Sequence, residues 1–124
     1  MTNSPTQRTL DYLRKRGYTC AITERWNPFA KIRQDLYGWL DLIALKPSVG
    51  IVGIQCTSGA NVGARLEKIK ASDDARLWST CGGKVVVIGW RKIKGGEKKA
   101  TWQPRMIGMV PTPDGKWDQW EISL

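Results

Sequence analysis

The sequence predicts an α/β protein whose elements run α-β-β-β-α-β, with a mixed central sheet and a C-terminal β extension. Three observations carry this. A capped, amphipathic stretch opens the chain. Strand-length runs of β-branched and aromatic residues follow, separated by Gly, Pro and Asn turn signals. One helical stretch, rich in Leu and Ile at helical spacing, falls between the third and fourth of these runs. A chain of 124 residues makes one domain. We read 1–124 as a single unit, with a core over about 5–92 and the extension over about 93–124.

The elements follow in order. Pro5 to Arg16 reads as a helix: Ser4 can cap it, Pro5 suits the first turn, Leu10 and Leu13 share a face, and Gly17 stops it. Tyr18 to Trp26 reads as a strand, and the polar, basic segment Asn27 to Leu36 as a loop. Tyr37 to Leu45 and Ile51 to Ser58 read as strands turned by Lys46 to Gly50, a connection short enough for an antiparallel hairpin. Ser58 or Asn61 opens the next helix, in which Leu66 and Ile69 face inward. Ser72-Asp73-Asp74 is a fresh helix start, and Gly82-Gly83 ends it. Lys84 to Lys92 carries a buried strand. Ala100 to Val110, interrupted by Pro104, and Trp117 to Leu124 complete the extension.

Composition narrows the chemistry. There is no histidine, so His-based triads, bases and metal sites are excluded. Three scattered cysteines without a CxxC argue against a disulfide framework or a zinc knuckle. No transmembrane-length run or signal-like apolar stretch is present, so the expected setting is cytoplasmic and away from membranes. The net charge of +9 points to a phosphate-bearing partner, nucleic acid foremost. The bland alternative is a solvated basic surface. The charge is spread along the chain, Lys98 and Lys99 included, and not gathered in a tail.

Strand parity then singles out one acid. Val52, Ile54 and Cys56 form one apolar face, and Gly53, Gln55 and Thr57 share the other, more polar one. Leu40, Leu42 and Ala44 line one face of the preceding strand, with Asp41 opposite, beside Trp39 and Ile43. A carboxylate between such neighbours needs a partner, a cap of donors or a metal. With the two strands adjacent, Asp41, Gln55 and Thr57 converge.

This pattern resembles the PD-(D/E)xK nuclease superfamily, in the flavour of Holliday-junction resolvases and VRR-type nucleases, over roughly Thr6 to Trp90. Leu40-Asp41 stands where that family has Pro-Asp, and Gln55-Cys56-Thr57 where it has Glu-x-Lys. The resemblance implies a restriction-endonuclease-like core, a magnesium or manganese cofactor, DNA as partner and phosphodiester hydrolysis. It implies Asp41, Gln55, Thr57 and Glu24 as catalytic candidates, with Asp41 and Gln55 on the metal. Resolvase-like members add an acid from the first helix, where this chain has Thr6-Gln7-Arg8 and, one turn later, Asp11.

The departures have physical weight. Gln55 ligates without charge, and Thr57 can position water but not neutralise a phosphorane. Glu24 or Asp35 could supply the missing carboxylate, and Arg65 or Lys68, three apart on one helix face, the missing cation. The plainer readings are that Glu24 pairs with Arg25 or Lys31, and that Arg65 and Lys68 are a wet helix face. Lys31, Arg33, Arg65 and Lys68 are the candidates for binding nucleic acid. Trp90, Trp102, Trp117 and Trp120 read as packing for the extension, with base stacking the alternative. Two functions follow: a metal-dependent DNA endonuclease with an atypical site, or a DNA-binding protein of the same fold that has lost catalysis. The sequence leaves a homodimer open.

Overall fold

The computed structural model describes residues 4–97 and 99–124; Met1–Asn3 and Lys98, the latter part of the basic spread, lie outside the described residues. Helix α1 (Pro5–Lys15) begins where expected: the Ser4 hydroxyl accepts from the Gln7 N–H at 3.1 Å, and Pro5 occupies the first turn. The chain then runs β1 (Thr19–Ile22), β2 (Arg25–Asn27), β3 (Ile32–Gln34), β4 (Leu42–Lys46) and β5 (Gly50–Ser58). A 3-10 turn (Gly59–Asn61) leads into α2 (Val62–Lys70) and α3 (Asp73–Thr80), followed by β6 (Lys84–Ile93), β7 (Thr101–Pro111) and β8 (Trp117–Ile122).

Six strands form one mixed sheet in the order β1-β4-β5-β6-β7-β8, and β2 and β3 form a separate two-stranded ribbon. β4 and β5 are the expected antiparallel hairpin, closed by the Val49 N–H donating to the Lys46 carbonyl at 2.9 Å. β5 and β6 are parallel, so the chain crosses over through α2 and α3. β6, β7 and β8 form an antiparallel meander. Pro104 does not break β7; it sits beyond the stretch that β8 covers, which begins at Met106.

Both faces of the sheet are covered. On one, Leu10 and Leu13 of α1 pack with Leu42, Ala44, Val52, Ile54, Cys56, Val86 and Ile88. On the other, Val62, Leu66 and Ile69 of α2 and Ala75 of α3 pack with Trp39, Leu40, Val85, Val87, Ile107 and Met109. The supposedly polar face of β5 is therefore interior: Gln55 and Thr57 are buried. Sequence parity separates the two faces correctly, but it cannot say that a second helix layer seals the polar one.

Three segment assignments change. Tyr18 to Trp26 is not one strand: it breaks at Thr23 and Glu24, where the Thr23 N–H turns to the Asp41 carbonyl at 2.8 Å. Asn27 to Leu36 is not a plain loop but holds the end of β2, the connecting turn and all of β3. Tyr37 to Leu45 becomes a strand only from Leu42. Tyr37 and Gly38 take positive φ in succession, which breaks the extended run, and the chain folds back in a turn closed by Leu36 and Leu40. Leu40 consequently leaves the face of Leu42 and Ala44 and joins Trp39 in the opposite core. No helix among the described residues is long and apolar enough to cross a membrane.

Candidate functional site

The turn before β4 places Asp41. Trp39 and Leu40 are fully buried, and Gly53 of β5 leaves them room: a Cβ there would stand 2.5 Å from the Trp39 ring and 2.8 Å from Leu40. Asp41, next in the chain, is held by its backbone from both sides. Its N–H donates to the Ile54 carbonyl at 2.9 Å, and its carbonyl accepts from the Thr23 N–H. The carboxylate is thus fixed at the end of the β4–β5 hairpin, just outside the strand proper.

Around it a small polar network forms. Asp41 Oδ2 accepts from Gln55 Nε2 at 2.7 Å and from the Cys56 backbone N–H at 2.8 Å. Asp35 arrives from the segment after β3; its Oδ2 accepts from Lys68 Nζ of α2 at 2.9 Å and lies 3.4 Å from Gln55 Nε2. Glu24 enters from the break after β1, with Arg33 3.8 Å away. One oxygen from each of Glu24, Asp35 and Asp41 lies within 4.8 Å of the others. The cluster opens into a cleft of about 660 Å³ that Arg33, Arg65 and Lys68 also line.

The electrostatics follow from this crowding. Burial, then the hydrogen bond to Asp35, then the charges of Asp35 and Glu24 push the Asp41 carboxyl up to about 8, against the partial relief of the Cys56 N–H. Asp35 moves the other way. Burial opposes its ionisation, but hydrogen bonds from Asp41 and Lys68, with the Lys68 charge, together hold it below the ordinary carboxylate value. The crowding thus favours the proton on Asp41 and the charge on Asp35.

Three polar atoms at this site are buried without a hydrogen-bond partner: Asp41 Oδ1, Gln55 Oε1 and Arg65 Nε. Two are acceptors beside the acid cluster, and one is a cationic donor on the cleft wall. With carboxylate oxygens this closely spaced, the triad Glu24, Asp35 and Asp41 could hold a metal ion.

The sequence candidates distribute as follows. Asp41, Gln55, Glu24, Arg33, Arg65 and Lys68 all line the cleft. Thr57 is buried on the same strand and does not line it. Lys31 is exposed in the turn between β2 and β3. Glu24 pairs with Arg33 and not with Arg25 or Lys31, and Lys68 engages Asp35 instead of lying on a wet face. The Cys56 backbone donor has no signal in the sequence, because only the register of β5 against the Asp41 turn creates it. Asp35, read from the sequence as an alternative to Glu24 for the missing carboxylate, lines the cleft together with it. No family model matches this chain, and no curated protein or solved structure matches it.

Proposed function

We propose that this protein is a metal-dependent DNA endonuclease with an atypical PD-(D/E)xK-type site. The observation that carries the reading is the meeting, in one open cleft of a chain with net charge +9, of three carboxylates with a cationic wall. The element order adds support. With the β2–β3 ribbon set aside as an insertion, α1, β1, β4, β5, the α2/α3 crossover and β6 run α-β-β-β-α-β, which is compatible with the reading.

In this reading the ligand set differs from the one implied by the family motif. Glu24, Asp35 and Asp41 would hold the cation, with the Gln55 carbonyl oxygen as a neutral fourth ligand. A bound divalent cation would offset phosphate charge and ease deprotonation of the attacking water. The chain's own groups do the rest. Lys68 Nζ and the Arg65 guanidinium face the phosphate, where they oppose charge gathering on its non-bridging oxygens. Water adds to phosphorus as the P–O bond to the leaving sugar oxygen breaks; a carboxylate of the cluster takes the water proton, and the departing oxygen takes a proton from solvent. Lys68 stands in for the lysine that Thr57 replaces.

One feature favours the second reading, a DNA-binding protein without catalysis. Gln55, the Cys56 N–H and Lys68 already satisfy much of the acid cluster with no metal. Nicking of supercoiled plasmid, with Mg²⁺, Mn²⁺ or EDTA, separates the two. Cleavage that needs metal and is lost in Asp41→Asn is the expected result. Inert protein that binds DNA with a steep salt dependence, weakened by charge reversal at Lys31 and Arg33 or at Arg65 and Lys68, would establish the binder.

A further inference from the structure

The β2–β3 ribbon has no place in the core, yet it is built with care. Of its six strand residues only Asn27 is even half-buried. Trp26 is 55% exposed, Ile32 50%, and Phe29, at the tip, 97%. A two-stranded ribbon lacking a packed face is marginal by itself. Here the tip is fixed by Asn27, whose Oδ1 accepts from the Phe29 and Ala30 N–H groups at 3.0 and 3.1 Å, while its Nδ2 reaches Gln34 across the ribbon at 3.2 Å. The outward placement of Phe29 is therefore set by a defined turn. Trp26 and Phe29 border a shallow hollow of about 330 Å³.

Two further facts say what covers this surface. The exposed aromatics are interleaved with cations: Arg25, Lys31 and Arg33, with Trp26 directly across from Arg33. The ribbon is also continuous with the cleft. Glu24 immediately precedes β2 and Asp35 immediately follows β3, so two of the three clustered acids stand at its base, and Arg33 and Gln34 line the cleft itself.

We infer that the ribbon Arg25–Gln34 is a nucleobase-stacking element, with Trp26 and Phe29 taking unpaired bases of a DNA strand whose phosphates Arg25, Lys31 and Arg33 hold. Rings that are exposed, rigidly presented and flanked by cations match the chemistry of unstacked DNA, which offers π-faces and phosphates together. Fully paired duplex offers the phosphates alone. The inference deepens the proposed function by naming its substrate class: DNA with unpaired bases close to the cut. Because the ribbon joins Glu24 to Asp35, a strand seated on it also bears on the geometry of the acid cluster.

The test uses the full chain in EDTA, so that no cutting occurs and the result is independent of catalysis. Binding to a fluorescein-labelled single strand and to the blunt duplex of the same sequence is followed by anisotropy. 2-Aminopurine placed in the strand reports stacking. The natural protein should prefer the single strand and quench 2-aminopurine. Phe29→Ala and Trp26→Ala should each weaken single-strand binding by about 5- to 100-fold, with duplex binding little changed. Phe29→Trp should retain it, which separates stacking from damage to the turn. Equal affinity for both DNAs with both alanine variants unaffected would overturn the inference. So would variants that alter self-association or vesicle binding but not DNA affinity, since the apolar tip would then serve a protein or lipid surface. A protein that passes this test and never cuts DNA keeps the ribbon assignment and loses only the endonuclease reading.

Discussion

Asparagine at position 41 should make the metal-free protein more stable while removing its activity. Asp41→Asn is nearly isosteric. Its Oδ1 can accept from Gln55 and Cys56 as the native Oδ2 does, and its Nδ2 replaces the orphaned oxygen with a donor facing Asp35. The native carboxyl has an ordinary value of 3.8, raised to about 8 in the fold. A group raised in this direction contributes stability that is complete below its unfolded value and is lost as pH climbs through the folded one. The window therefore runs from near pH 4 to just above pH 8. Over it, the cost of ionising Asp41 alone reaches on the order of 5 kcal/mol at 1.36 kcal/mol per pH unit. Asp35, shifted oppositely through the same contact, returns part of that. A net gain of about 2 kcal/mol for the variant at pH 9 is expected, which corresponds to roughly 5–10 °C in Tm. Thermal unfolding of both proteins between pH 5 and pH 9, in EDTA, reads this directly. The curves should nearly coincide at the acid end and separate as pH rises. A variant that is less stable at pH 9, or two parallel curves, would refute this placement of the proton.

Other outcomes follow from the same geometry. Cation binding must displace the proton on Asp41, so Mn²⁺ affinity measured by calorimetry should rise with pH up to about 8, with protons released to the buffer. Gln55→Glu adds a carboxylate beside two others; it should lower Tm in EDTA, raise Mn²⁺ affinity about tenfold or more, and increase plasmid nicking. Lys68→Met removes the cation 2.9 Å from Asp35 and should slow cleavage by about 100-fold, a larger effect than its loss of DNA affinity at fixed salt. Gly53→Ala drives a methyl into the Trp39 ring and Leu40 and should cost about 1–3 kcal/mol in urea unfolding, carrying Asp41 out of place and activity with it.

The parts of the fold that were legible depend on local chemistry. Ser4 and Pro5 announce α1, and the short Lys46–Gly50 connection fixes the β4–β5 hairpin and with it the adjacency of Asp41 and Gln55. The parts that were not legible depend on what lies far away in sequence. Nothing near Tyr37 announces a positive φ, which Asn, Asp or Gly more often adopts. Glu24 and Asp35, eleven positions apart, were legible as alternatives for one carboxylate but not as a pair, which the β2–β3 ribbon makes by bringing its two ends together. The burial of Gln55 and Thr57 needs α2, whose docking site no strand pattern records. Lys68 was legible as a residue on a helix face but not as the partner of Asp35, 33 positions away.

The pairing of β5, antiparallel to β4 and parallel to β6, also implies an order of events as the chain folds. Closing the β4–β5 hairpin joins Asp41 to Gln55 and Cys56 across only 14 and 15 positions, a local contact that forms early and at small entropic cost. The parallel edge must wait for the α2/α3 crossover to be laid down, and Lys68 arrives only then. The Asp41 corner of the cleft is thus built first, with its carboxylate still open to water, and the cationic wall closes over it last. Pulse-labelled amide exchange during refolding would record this as protection of the Asp41 and Cys56 N–H groups ahead of those in α2. On that schedule, ions in the surrounding medium meet the bare Asp41 carboxylate before the folded protein exists.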